Sequence, residues 1–178
     1  IITGAGRTKG KRPYMEDVDV AFDCVRVTER ICVSIFGVLD GHGGQECARF
    51  CADEIPMKII SGLRLGTSPP EILYQSFIDT DREFLRNQKG TSGSTANILL
   101  FDPKNSIIYI GNTGDTRAVL CRNDQAIILT EDKKANNPSE IARIAQSGGF
   151  VSNGRVLGSL AIARALGDLY LKEGRERE

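Results

Sequence analysis

The sequence predicts an α+β fold in which antiparallel β-sheets are flanked by helices. Residues 18–40 have the pattern of a strand, a turn and a buried strand. Residues 44–87 contain two segments with apolar side chains at helical spacing. Residues 93–130 form a series of short β-rich runs separated by tight turns, which predicts an antiparallel meander. Because strands and helices do not alternate regularly, antiparallel sheets are favoured over a parallel doubly wound sheet.

The length of 178 residues is typical of a single domain, and we assign one domain to residues 1–178. Lys plus Arg and Asp plus Glu both number 23, and no basic stretch is interleaved with aromatic residues, so we expect no nucleic-acid partner. No apolar run is long enough to cross a bilayer and no signal peptide is visible. We therefore expect no membrane association, a cytoplasmic or nuclear location, and a monomer.

The five cysteines are odd in number and include no Cys-x-x-Cys pair, so neither a disulfide framework nor a zinc ribbon is indicated. A zinc site made by Cys24, Cys32, Cys47 and Cys51 is conceivable. However, Cys47 and Cys51 lie one helical turn apart on an apolar face, which is better explained by packing. We expect reduced cysteines in the core.

The first strands are predicted over residues 18–27 and 31–40, joined by a short polar turn. A helix is predicted over about residues 44–60, because Cys47, Cys51 and Ile55 recur at every fourth position. The glycine-rich sequence DGHGG therefore lies between a buried strand and a helix.

A second helix is predicted from the sequence SPPEILYQSFIDTDREFLRN, with Ser68 as its N-cap and two prolines in its first turn. We expect Asp81 on its apolar face to be paired or to cap another group rather than to act in catalysis. The predicted apolar face consists of Tyr74, Phe77, Ile78, Phe84 and Leu85.

A third helix is predicted after Asn137, which would be its N-cap, with Pro138 in the first position and Glu140 completing a capping box. A hairpin is predicted around the sequence Asn153-Gly154. The final sequence KEGRERE is expected to be a solvated end.

The sequence FGVLDGHGG contains the single histidine of the chain. Asp40 at the end of a buried strand is well placed to bind a hard cation, and Gly41 allows a ligand to approach the backbone, whose carbonyl can serve as an oxygen ligand. His42, with an ordinary pKa near 6.5, can donate a proton near neutral pH. A strand-to-helix turn in which Asp40 caps the helix explains these five residues equally well.

A second acidic cluster occurs in the sequence KRPYMEDVD, where Glu16 and Asp17 enter the first strand on opposite faces. Carboxylates with backbone oxygen and water suit Mg²⁺ or Mn²⁺, and the planar guanidinium of Arg12 suits a phosphate. Taken alone, this cluster is better explained as a surface patch of ion pairs.

A third acidic residue, Asp115, lies in the tight turn of GNTGDTRAVL, between two strands of the predicted meander. Aspartate is common in turns because its side chain bonds to nearby backbone groups. Asp115 alone therefore does not indicate a functional site.

Six motifs in order resemble those of the metal-dependent serine/threonine protein phosphatases of the type 2C (PPM) family. The resemblance extends over nearly the whole chain. The motifs are RPYMEDV, FGVLDGHGG, GSTANILL, IGNTGDTRAVL, LTEDKKANNPSEIARI and GGFVSNGRVLGSLAIARALGD.

The resemblance implies two packed antiparallel sheets flanked by helices, with a two-metal Mn²⁺ or Mg²⁺ site between the sheet edges. It implies that Asp40 bridges both metals and that the Gly41 carbonyl is a ligand. The remaining implied roles are metal and water binding by Glu16 and Asp17, phosphate binding by Arg12, proton donation by His42, and a further, weaker metal site at Asp115.

The implied reaction is hydrolysis of phosphoserine or phosphothreonine in a phosphoprotein substrate. A hydroxide shared by two cations roughly 3.5 to 4 Å apart would attack phosphorus directly, without a phosphoenzyme. A general acid at the leaving oxygen contributes about 10² to 10⁴ in rate, and His42 is the candidate for this role.

The family domain continues beyond the RALGD motif through strands that carry an SDG aspartate and a DN aspartate, both metal ligands. Neither motif occurs in this sequence. We therefore expect a C-terminally truncated, partial domain in which the second metal has fewer protein ligands. The alternative hypothesis is a phosphatase-like domain with weak or no activity that binds a phosphoprotein or another partner.

Overall fold

The computed structural model describes residues 1–87 and 90–172 of the chain. Its helices are α1 (Glu46–Arg64), α2 (Pro69–Asn87), α3 (Pro138–Gln146) and α4 (Leu169–Lys172). Its strands are β1 (Val18–Arg26), β2 (Cys32–Leu39), β3 (Gly41–His42), β4 (Gly93–Ser94), β5 (Ala96–Asp102), β6 (Ile107–Thr113), β7 (Val119–Arg122), β8 (Gln125–Ile128), β9 (Val151–Ser152), β10 (Arg155–Val156) and β11 (Leu166–Gly167). These elements confirm the predicted α+β class.

The largest sheet contains four antiparallel strands in the order β1-β2-β5-β6. In its register Ile35 lies opposite Leu100, and both side chains are fully buried. Since successive residues of a strand point to opposite faces, Val38 on the other face is 48% exposed. One face of the sheet is thus covered and the other is largely open.

The two long helices cover the buried face of this sheet. Helix α1 begins at Glu46, two residues later than predicted, and continues to Arg64, four residues beyond the predicted end. The extension follows from its buried side chains, since Ile59, Ile60 and Leu63 continue the apolar face into the core. Helix α2 follows Ser68, as the N-cap pattern predicted.

The apolar face of α2 differs from the prediction. Tyr74 is 70% exposed, so its assignment to that face was wrong. Leu73, Ser76 and Thr80 are buried instead, at spacings of three and four residues. Two of these three are small polar residues, whereas the prediction considered only apolar ones. Asp81 is paired as expected, since its carboxylate accepts hydrogen bonds from the Gly167 N–H and from Lys172.

Three small sheets accompany the main one. The predicted continuous meander over residues 93–130 was wrong, because β4 and the β7–β8 hairpin belong to different sheets from β5 and β6. The hairpin of β9 and β10 turns at Asn153 and Gly154 as predicted, and both have positive φ angles of 51° and 69°.

A three-stranded sheet in the order β11-β4-β3 positions the candidate site. In its register Gly41 and Leu166 both lie opposite Ser94, and His42 and Gly167 both lie opposite Gly93. This small sheet therefore places the DGHGG sequence beside the RALGD sequence, although the two are far apart along the chain.

The start of α3 also differs from the prediction. Asn137 precedes the helix, but its side chain bonds to the Asp132 carbonyl rather than to a helix N–H group. Glu140 forms no capping box, because its buried carboxylate binds Arg143 and Arg164. Glu140 therefore forms ion pairs instead of the predicted capping box.

The cysteines are only partly in the core. Cys47 and Cys51 are buried on α1, as expected, whereas Cys24 and Cys121 are exposed and Cys32 is partly exposed. Where the chain is described, no helix combines the length and apolar character needed to span a membrane. Residues 173–178 of the KEGRERE sequence lie outside the described residues.

Candidate active site

Asp40 is held at the end of β2 by its backbone. Its N–H donates a hydrogen bond of 3.0 Å to Thr95 Oγ1, and its carbonyl accepts one of 3.0 Å from the Thr95 N–H. The residue is solvent-exposed, and its carboxylate has no hydrogen-bond donor within residues 1–87 and 90–172. Two strand ends thus fix the Asp40 backbone and leave its carboxylate free to bind a ligand.

The charges around Asp40 come from several separate motifs. The pKa of Asp40 is raised above its ordinary value, first because the surrounding protein removes part of its hydration, and then because Asp17 and Asp115 are negatively charged. The charges of His42 and Arg12 oppose this rise. Five of the seven residues predicted for the site therefore share one electrostatic environment.

The Asp115 turn is connected to Asp40 through a chain of side chains. Thr95 Oγ1 lies 2.6 Å from Thr116 Oγ1, and Asn97 donates hydrogen bonds to the Asn112 side chain and the Thr116 carbonyl. Since these residues flank Asp115, they place its turn at the same end of the sheet as Asp40.

Glu16 and Gly41 are the other two predicted residues. Glu16 Oε1 accepts a hydrogen bond of 2.7 Å from the Gly44 N–H, so the carboxylate holds the glycine loop. Gly41 is buried, and a Cβ atom placed on it would lie 2.5 Å from the Glu16 carbonyl oxygen. Position 41 is therefore restricted to glycine by the close approach of the two backbones.

His42 is in contact with a residue to which we had assigned no role. Its Nε2 atom lies 2.9 Å from both carboxylate oxygens of Asp168, whose side chain is only 2% exposed. Burial lowers the pKa of His42, but the hydrogen bond and charge of Asp168, followed by the charges of Asp40 and Glu16, outweigh burial and raise it overall. The contact with Asp168 thus stabilises the imidazolium form relative to a free histidine side chain.

Asp168 belongs to the RALGD motif and was missed as a site residue. The two partners are 126 residues apart, and neither periodicity nor spacing connects them. The sequence feature that could have identified Asp168 is its position beside a glycine in a motif of the resembled family.

Arg12 lies in the exposed segment before β1. Its guanidinium forms no ion pair or hydrogen bond with residues 1–87 or 90–172, while its charge lowers the pKa of Asp40. A free guanidinium near a carboxylate cluster is available for an anionic ligand such as a phosphate ester.

The predicted metal ligands fit a hard divalent cation in their chemistry, because all are carboxylate or carbonyl oxygens. Burial and then the charges of Asp17 and Asp115 raise the pKa of Asp40, so these carboxylates lie close enough to interact. Over the described ranges, however, no three His, Cys, Asp or Glu side chains converge as a ready-made metal cage. The donor set thus suits Mg²⁺ or Mn²⁺, with fewer converging groups than a complete protein cage would have.

Comparisons with a family model and with a relative identify the same protein family. The family model described as "Protein phosphatase 2C" matches residues 3–177. A "Probable protein phosphatase 2C 2" from Paramecium tetraurelia is 37% identical, with the match covering 97% of this chain and 60% of the relative. The chain therefore spans about three fifths of the length of that relative.

Two solved structures share the fold. One, described as the structure of a C. elegans sex determining protein, has a TM-score of 0.82 at 28% identity and covers 96% of this chain and 45% of its own. The other is a phosphatase from Toxoplasma gondii, with a TM-score of 0.73 at 24% identity, covering 90% of this chain and 62% of its own. The fold of this chain is thus shared with these proteins.

Proposed function

Because the chain belongs to the protein phosphatase 2C family, we propose that it carries out or contributes to the metal-dependent hydrolysis of phosphoserine and phosphothreonine in proteins. The observation that carries this proposal is the grouping at Asp40. A free guanidinium, further carboxylates and a histidine that favours its protonated form all act on the same carboxylate. These are the groups that a phosphate monoester hydrolase requires.

Each residue has a distinct part in the proposed reaction. Arg12 binds the phosphate oxygens through its planar donors. Water attacks phosphorus, the bond from phosphorus to the serine or threonine oxygen breaks, and His42 donates the proton that the departing oxygen needs. The alkoxide is a poor leaving group, so loss of this proton would slow hydrolysis by about 10² to 10⁴.

Divalent cations would be held by Asp40, Glu16, Asp17 and the Gly41 carbonyl, with Asp115 as a weaker ligand. When bound, such cations stabilise negative charge on phosphoryl oxygens and lower the pKa of water. The hydrogen bonds to Thr95 fix the Asp40 backbone at the end of β2.

The test is turnover of a phosphothreonine peptide with Mn²⁺ or Mg²⁺, compared with the same reaction in the presence of a chelator. Asp40→Asn should abolish the metal-dependent rate while the protein stays folded, because the amide is a poorer ligand of similar shape. Asp102→Asn is the matched control, since it removes a carboxylate from a surface turn at the far end of β5. Absence of metal-dependent turnover in the wild-type chain would contradict catalysis by this chain.

A second candidate function is a binding domain that recognises a phosphoprotein without hydrolysing it. It is favoured by the lack of a converging three-residue metal cage in the described parts of the chain. Binding of a phosphothreonine peptide that requires Arg12 and persists without turnover would support this function. Arg12→Ala should then weaken binding of the phosphorylated peptide and leave the unphosphorylated peptide unaffected.

A further inference from the structure

We propose that Asp168 is the positioning residue for His42: it accepts a hydrogen bond from Nε2–H, so that Nδ1 is the nitrogen that delivers the proton to the leaving oxygen. This inference rests on the proposed function, because the leaving oxygen is that of the serine or threonine released in the proposed hydrolysis. The arrangement of Asp168 and the imidazole ring can be tested without turnover.

Asp168 is held by the segment that leads into β4. Its N–H donates a hydrogen bond of 3.1 Å to the Ser92 carbonyl, and its φ angle is 52°. A Cβ atom on Gly93 would lie within about 2.5 Å of all three carboxyl atoms of Asp168. The absence of a side chain at position 93 therefore creates the space that the carboxylate occupies next to His42.

Helix α2 supplies a second anchor for the segment that carries Asp168. Asp81 accepts a hydrogen bond of 2.7 Å from the Gly167 N–H, and Lys172 Nζ lies 2.8 and 2.9 Å from the two Asp81 oxygens. These bonds fix the residues on both sides of Asp168. Because Asp168 itself is almost fully buried, its carboxylate has little freedom to rotate away from the imidazole.

The contact also determines which imidazole nitrogen carries out proton transfer. An ionised carboxylate only accepts hydrogen bonds, so Nε2 must carry the hydrogen that points to Asp168. Nδ1 has no hydrogen-bond partner in the part of the chain that the structure describes. His42 is 29% exposed, and Nδ1 is thus the nitrogen available to a substrate oxygen.

The first experiment uses the fact that His42 is the only histidine. Nitrogen-15 NMR of the wild-type chain, at a pH where the imidazole is neutral, should show hydrogen on Nε2 and a bare Nδ1. Asp168→Asn and Asp168→Gly should reduce the population of this tautomer, and both residues tolerate the positive φ angle. A bare Nε2 in the wild type, or the same tautomer population in both variants, would overturn the proposal.

The second experiment compares two esters. For a phosphothreonine peptide, Asp168→Asn should lower kcat on the order of 10²-fold, because the alkoxide needs the proton. For p-nitrophenyl phosphate, kcat should stay near the wild-type value, since nitrophenolate leaves without a proton. An equal loss for both esters would indicate a merely structural role.

A double-mutant cycle shows whether Asp168 acts through His42. In a His42→Gln background, Asp168→Asn should have little further effect on peptide turnover, whereas an independent role would give multiplicative losses. If the wild-type chain hydrolyses neither ester, the proposed function fails for this chain, and the nitrogen spectra alone decide whether Asp168 positions His42.

Discussion

The sheet with its two long helices and the segment from Val119 to Arg164 are stabilised by different interactions. Among the described residues, the main hydrophobic cluster draws its buried members from Val20 to Leu100 and from Leu166. The buried apolar side chains of the segment are Ala135, Ile144 and Ile162. Apolar burial therefore stabilises the first region, whereas charged groups and short hairpins stabilise the second.

The charges of the second region concentrate on Glu140, whose side chain is 3% exposed. Arg143 lies 2.8 Å from one of its oxygens and also bonds to the Ala163 carbonyl, and Arg164 lies 2.9 Å from the other. Helix α3 is therefore connected to the segment that leads to Asp168 through both Glu140 and Arg143.

The largest effect is expected for Leu100→Ala, in the centre of the buried face. The change deletes a fully buried side chain and leaves a cavity, so the free energy of unfolding should fall by about 2–5 kcal/mol. Chemical denaturation monitored by circular dichroism measures the loss. A change below about 1 kcal/mol would show that this region does not depend on apolar packing.

A smaller effect is expected for Glu140→Gln, in the charged region. The two arginines lose their common partner but remain partly in water, so we expect a loss of about 1–3 kcal/mol. Hydrogen exchange should increase in α3 and in residues 160–164 more than in β5. An equal increase in hydrogen exchange in both regions would contradict the conclusion that different interactions stabilise them.

Acidification should affect the same region selectively. Burial raises the pKa of Glu140, but the hydrogen bonds from Arg164 and Arg143 outweigh it and lower the pKa below its ordinary value of 4.5. A group with a lowered pKa contributes stability above its unfolded pKa and loses it as the pH falls through the folded value. Hydrogen exchange in α3 should therefore rise below about pH 4.5, and Glu140→Gln should remove this dependence.

The smallest effect is expected for Val38→Thr, on the open face of the sheet. Val38 is 48% exposed, so the free energy of unfolding should change by no more than about 0.5 kcal/mol. The added hydroxyl should reduce binding of a hydrophobic dye to the open face. A loss comparable to that of Leu100→Ala would show that this face is covered in solution.

Sequence patterns predicted the regular elements well. The strands of the first hairpin, the helix after Ser68 and the Asn153-Gly154 turn depend on local periodicity and turn chemistry, which a sequence displays directly. The exposure of Tyr74 was missed, because apolar spacing alone does not show which side of a helix meets the core. Glu140 was assigned to a cap because its long-range partner Arg164 has no local signal.

The candidate site was predictable only in part for the same reason. Order and spacing of motifs predicted that Arg12, Asp40 and His42 belong to one site, and in the structure the charges of Arg12 and His42 act on Asp40. The contact between His42 and Asp168 depends on the pairing of β3, β4 and β11, which are two-residue strands. Such short strands have no periodicity from which pairing could be predicted.

The long separation between His42 and Asp168 also has a consequence for folding kinetics. Bringing together residues 126 positions apart carries a chain entropy cost of about 4 kcal/mol before any other contact compensates for it. Pairs of this kind form late, after local helices and hairpins. The spectrum of the single histidine would therefore report when this long-range pair forms.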